Sequence, residues 1–186
     1  MDKNIQYTAV SISDYVKSLS NEDAVFYIEK LTVNDVVLPD PYGVTKSNWT
    51  NNVNEWPDIS YPDVYQYFVE TSCFYSRAEV KNVKSLDGYQ YFVLGHVQPV
   101  SFYDPGIQNY VYLIAGVLPS QRQSNKKDYY KTYIIAHKNG EILTAHCTCM
   151  AGYVHNFIIL SSTFNIYARF FCSFFENHSL YPKNQN

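Results

Sequence analysis

The sequence predicts an α+β fold, with N-terminal helices packed on one face of an antiparallel sheet of about four strands. Three observations predict it. Apolar residues in the first 85 positions recur at helical spacing, the pattern switches to alternation near Tyr89, and an Asn-Gly pair joins two β-rich runs further on. Helices that come first and strands that follow mark α+β rather than interleaved α/β. At 186 residues the chain is long enough for one domain with a buried core, and its 46% apolar composition argues against global disorder.

The helical part opens with residues 11–31. Ser20 followed by Asp23 is a capping signal ahead of "AVFYIEKL", where Val25, Ile28 and Leu31 return at helical intervals. Residues 39–62 are crowded with Pro and Asn and read as a loop, tied down by Trp49 and Trp56. Pro62 and Asp63 suit a first helical turn, so "PDVYQYFVE" reads as a helix, and "RAEVKNVKSL" as a second short one.

Four β-rich runs come next: "YQYFVLGHV", "YVYLIAGVL", "YYKTYIIAH" and "EILTAHC". Asn139-Gly140 between the last two is the strongest two-residue hairpin signal. With those residues at the loop centre, Lys138 faces Glu141, Ala136 faces Leu143, Ile134 faces Ala145 and Thr132 faces Cys147. The two-residue side-chain period then puts Leu143, Ala145, Cys147 and Cys149 on one core-directed face. After Gly152 neither period survives, and residues 153–186 hold Phe157, Phe164, Phe170, Phe171, Phe174 and Phe175 but no glycine.

A net charge of −3 makes the chain as a whole no obvious polyanion binder. Arg122, Lys126, Lys127 and Lys131 cluster, and a solvated loop face is expected there before a phosphate-contacting patch. The 19 tyrosines suit core and sheet-surface positions. The N-terminus carries no apolar run of leader length, and no stretch of about 18 apolar residues is uninterrupted. With only four cysteines this predicts an intracellular protein, nuclear or cytoplasmic, without a membrane span, in which the sequons at Asn48 and Asn177 go unused.

The chemistry concentrates in "ILTAHCTCMAGYVHN". Cys147 and Cys149, at i and i+2 on a strand end, can turn both sulfurs toward one ion. Zinc takes four tetrahedral Cys or His ligands, and this pair supplies two. Taken alone, two buried thiols acting as small hydrophobes are the commoner explanation of such a pair. A redox disulfide is disfavoured by the strain of so tight a ring. Nothing predicts an enzyme: Asp63, Glu70 and Asp87 are scattered, His96 and His137 read as satisfied strand histidines, and no G-x-S-x-G occurs.

The segment "GEILTAHCTCMAG" resembles the start of a SWIM-type zinc finger, a β-hairpin and helix with the pattern Cys-x-Cys, spacer, Cys-x-His. With "KSLDGYQYFVLGHVQPV", "VLPSQRQS", "IEKLTVNDVVLPDPY" and "NEWPDISYPDVYQYFVET", it resembles an invertebrate group in which this finger precedes a YqaJ-type viral-recombinase domain. The resemblance covers roughly residues 11–152 and is most specific in "AHCTCMAG". It implies zinc as cofactor and DNA or protein as partner, with an alternative as the N-terminal fragment of a YqaJ-type exonuclease-like enzyme that is not catalytic by itself.

The chain departs from that pattern after Gly152. No Cys-x-His follows; His155 lies early and alone, and Cys172 and His178 have five residues between them instead of one. Gly-Tyr-Val can be encoded with a splice-donor sequence, GTATGT, so the tail reads as translated intron. The expected organisation is a helical and loop region at 1–88, a β-rich region at 89–152 ending in a partial finger over about 130–152, and a divergent tail at 153–186. The metal ligands expected are Cys147 and Cys149, with His155, Cys172 and His178 as weaker candidates. Weak or absent zinc binding follows from two thiolates alone.

Overall fold

The computed structural model describes residues 12–69, 94–118 and 129–149. The helix expected over "RAEVKNVKSL", most of the run "YQYFVLGHV", the cluster of Arg122, Lys126 and Lys127, and the whole tail lie outside the described residues.

The helical signal over 11–31 resolves into α1 (Asp14–Ser18) and α2 (Asn21–Lys30), each started by a serine. Ser13 Oγ accepts from the Val16 N–H at 3.4 Å and Ser20 Oγ from the Asp23 N–H at 3.2 Å, satisfying donors that a helix leaves unpaired at its start. The buried stripe of α2 differs from the expected one. Ala24, Tyr27, Ile28 and Leu31 face the core, at i, i+3, i+4 and i+7, while Val25 is 52% exposed. A small hairpin follows, β1 (Thr32–Val33) and β2 (Val36–Val37). Its loop residues, Asn34 and Asp35, have φ of 49° and 62°, the left-handed pair that a type I′ turn requires. Helix α3 (Tyr61–Val69) is led by Ser60, whose N–H reaches the Asp63 carboxylate at 2.8 Å.

The sheet is an antiparallel meander, β3 (Ser101–Tyr103), β4 (Tyr110–Val117), β5 (Tyr130–His137) and β6 (Ile142–Cys147), with spatial order equal to chain order. The fold is therefore α+β on four antiparallel strands. Its first strand among the described residues lies beyond the expected run, of which only residues 94–97 are described. Leu94-Gly95 is a turn, and Val97 makes only an isolated bridge to Val117. The chain then gains a residue on β4 before Phe102 pairs with Leu113, and Pro99 lies in that irregular step. Proline has no N–H to give a ladder and is tolerated at such edge bulges.

Both faces of the sheet are covered, not one. Val111, Leu113, Ala115, Ile134, Ala136 and Ala145 pack against Ile59, Phe102, Trp56, Val64 and Tyr67, the side of α3. Tyr110, Tyr112, Tyr133 and Ile135 pack against Val16, Tyr27, Leu31 and Leu38, the side of α1 and α2. The physical reason is in β4 and β5, which are apolar on both faces and so need cover on both. The loop 39–60 joins the two layers by crossing the β3 edge. Thr50 and Phe102 exchange N–H···O bonds of 2.9 and 2.7 Å there, with Trp49 on one side of the crossing and Trp56 on the other.

The β5–β6 hairpin holds two departures that cancel. The loop has three residues, Lys138-Asn139-Gly140. His137 accepts from the Gly140 N–H at 2.9 Å and donates to the Glu141 carbonyl at 2.8 Å, and Gly140 has φ of 100°. This is a turn closed by a left-handed glycine, so Lys138 does not face Glu141; it pairs with Asp104 at 2.6 Å. The resulting one-residue slip pairs Ala136 with Ile142. A bulge at Leu143 removes it, so Ile135 pairs with Thr144, Ile134 with Ala145 and Thr132 with Cys147. Leu143 thereby leaves the face of Ala136 and packs on the α1–α2 side.

Gly140 is fixed twice over. Its φ suits glycine, and a Cβ there would overlap the Asp58 carbonyl. Gly106 has a similar φ, 70°, but open space around it. Gly140→Ala should therefore lower unfolding free energy by about 2 kcal/mol or more, and Gly106→Ala by about 1 kcal/mol. Urea denaturation of the two variants beside the parent measures this; equal losses would show that the approach to Asp58 does not matter.

Candidate functional site

Cys147 is the last residue of β6, opposite Thr132, and β6 is the outer strand of the four-stranded sheet. The ladder runs one rung further. Thr148 gives its N–H to the Lys131 carbonyl at 2.9 Å and its Oγ1 accepts the Lys131 N–H at 3.0 Å. Beyond this rung the backbone turns, and the Cys149 N–H points back to Cys147 Sγ at 3.2 Å. The two side chains are also hydrogen-bonded to each other, so their sulfurs are neighbours. Both residues are buried and carry thiols.

The electrostatics keep the Cys147 thiol protonated in the absence of a cation. The hydrogen bond with Cys149 and burial push the Cys147 thiol well above the ordinary range; the Cys149 N–H acts the other way. Thiolates form there only against a compensating positive charge, which makes any metal uptake a proton-releasing event. Two soft, adjacent sulfurs fit one edge of a zinc tetrahedron. His155, Cys172 and His178, the weaker expected ligands, lie outside the described residues. Among the described residues no group of three or more His, Cys, Asp or Glu is placed to hold a metal ion.

Beside the thiols, on the other side of β6, is a cluster that sequence reading missed. His146 is 1% exposed and is boxed by Tyr27, Tyr15, Tyr133 and Tyr42, with ring centroids at 4.9, 5.6, 5.8 and 6.2 Å. The Tyr15 hydroxyl and His146 Nε2 are 2.8 Å apart. The same tyrosines lead to a buried carboxylate. Asp40 accepts from the Tyr27 hydroxyl at 2.6 Å, the Tyr42 N–H at 2.9 Å and the Ser13 N–H at 3.1 Å. Burial first, then the neighbouring Tyr133 and Asp40, hold the Tyr27 phenol far above its usual range, so it stays a donor. No motif spacing marks these residues; only the tyrosine-rich composition pointed toward them.

Searches against protein-family models, curated proteins and solved structures returned no match for this chain. Among the described residues no helix is long and apolar enough to cross a membrane.

Burial, helped by the charge of Lys30, pushes His146 from 6.5 down to about 3. The folded protein keeps this imidazole neutral where the unfolded chain protonates it. Stability from that source is complete above pH 6.5 and is lost as pH falls toward 3, at about 1.4 kcal/mol per pH unit. Urea midpoints between pH 6 and 4 should fall more steeply for the parent than for His146→Gln; parallel slopes would contradict it. Tyr27→Phe should cost about 2 kcal/mol at neutral pH, because the buried Asp40 carboxylate loses one of its three donors. A thermal or chemical melt within error of the parent would show that the hydroxyl contributes nothing.

Proposed function

We propose that this chain is a zinc-binding interaction module whose metal site is incomplete among the described residues, with Cys147 and Cys149 supplying two of the metal's ligands. The observation that carries the reading is the convergence of the two thiols at the end of β6, with the Cys149 N–H on Cys147 Sγ at 3.2 Å. A hydrogen bond from backbone to sulfur favours the thiolate that a metal requires. The resemblance of "AHCTCMAG" to a SWIM-type finger supports the same assignment. The module's role is to present a surface to nucleic acid or protein, with the sheet and its two covering layers as the support.

Zinc held by this pair should be less firmly retained than zinc in a closed four-ligand site, since such sites draw their stability from complete coordination. His155 and Cys172 are the first residues to examine for further ligands. Purified protein should take up one zinc per chain, lose it to a chelator, and fail to take it up as Cys147→Ser or Cys149→Ser. Uptake should rise with pH, because Cys147 must give up its proton. Zinc content that both serine variants retain, or no uptake by the parent at saturating zinc, would overturn the reading.

A further inference from the structure

We propose that Thr148 and Tyr42 are positioning residues of the Cys147–Cys149 pair, an inference that rests on the zinc reading above. Thr148 is the middle residue of the Cys-x-Cys. Its backbone torsions decide whether the two sulfurs converge or part, and both of its polar groups are engaged. Its N–H goes to the Lys131 carbonyl at 2.9 Å, and its Oγ1 receives the Lys131 N–H at 3.0 Å. An ordinary ladder rung would use the backbone carbonyl of residue 148 as that acceptor. Here the side chain takes its place, which frees the backbone after Thr148 to turn. That turn brings the Cys149 N–H onto Cys147 Sγ.

The rung is fixed from a second direction. The Lys131 carbonyl that holds Thr148 also accepts the Tyr42 hydroxyl, at 2.8 Å, across 89 positions of sequence. Tyr42 cannot drift, because its N–H is bound to Asp40 at 2.9 Å and its ring lies against Tyr15 and Tyr133 at 5.1 and 5.2 Å. A chain of contacts thus runs from the buried Asp40 through Tyr42 and Lys131 to Thr148 and the thiols. Groups that orient metal ligands in this way typically contribute 10- to 100-fold in affinity. The layer formed by residues 13–42 is then part of the site's geometry as well as cover for the sheet.

The test uses the full chain with zinc and cadmium as probes. Thr148→Val keeps the β-branched shape and removes the acceptor; Thr148→Ser restores it; Tyr42→Phe removes one hydroxyl at the far end of the chain of contacts. Thr148→Val should weaken zinc roughly 10- to 100-fold and Thr148→Ser should bind like the parent. Tyr42→Phe should weaken it roughly two- to tenfold, the scale of one hydrogen bond. The ultraviolet thiolate-to-cadmium band per bound ion should fall in Thr148→Val as one sulfur leaves the ion, an effect that lost stability alone does not produce. If Thr148→Val does not fold, Tyr42→Phe decides. Parent-like zinc affinity in a folded Thr148→Val or Tyr42→Phe overturns the positioning role while leaving the zinc reading intact. A parent without thiol-dependent zinc overturns both, and only that outcome touches the earlier reading.

Discussion

Eight paired positions join β4 to β5, and their side chains are buried to both sides along most of that length. The rest of the molecule answers to this. A strand pair apolar on both faces exposes two surfaces to water at once, and burial of each is worth about 25 cal/mol per Å². One side is closed by α3 and the loop before it, the other by α1, α2 and the segment reaching Leu38. Because both covers come from the same stretch of chain, that stretch must pass round an edge. It does so at β3, where Thr50 pairs with Phe102. Among the described strands the opposite edge is β6, which ends at Cys147.

How much of this was readable from sequence depends on what kind of signal each part leaves. The α+β class and three of the four strands follow from periodicity and turn residues, which act locally. The helix cap at Ser20 does likewise, whereas the cap at Ser13, which splits the helical segment in two, was not read. The stripe of α2 was displaced because Val25 looked more apolar than Ala24, whereas the spacing of Tyr27 and Leu31 puts Ala24 on the inside. The strand Ser101–Tyr103 was overlooked because it is short and lies at an edge, where a three-residue segment carries almost no period. The cover on both faces had a local signal, the near-continuous apolar runs of β4 and β5, which alternation alone does not produce; which helix takes which side has none.

The candidate site divides along the same line. Cys147 and Cys149 were singled out by their spacing and by the resemblance, and the pairing of Cys147 with Thr132 matched the expected register. The box around His146 was not found, because Tyr15, Tyr27, Tyr42 and Tyr133 are brought together only by tertiary structure. In sequence they are four among 19 tyrosines. Asp40 gave no warning either. A carboxylate in a Pro-rich loop reads as a turn residue, and only the three donors around it in the folded chain explain how it can be 3% exposed.

The hairpin between β5 and β6 has a further consequence. A two-residue loop without a bulge and a three-residue loop with one use the same number of residues between Ile135 and Thr144, so the register at the thiol end is identical in both. What differs is the fate of one side chain. In the first arrangement Leu143 would fill the layer beside α3; in the second it fills the layer beside α1 and α2. Gly140 resting on Asp58 and Lys138 reaching Asp104 favour the second. The turn at the tip thus apportions side-chain volume between two cores more than a strand's width apart. Any sequence change that alters the turn must be matched by a change in the packing volume of both layers.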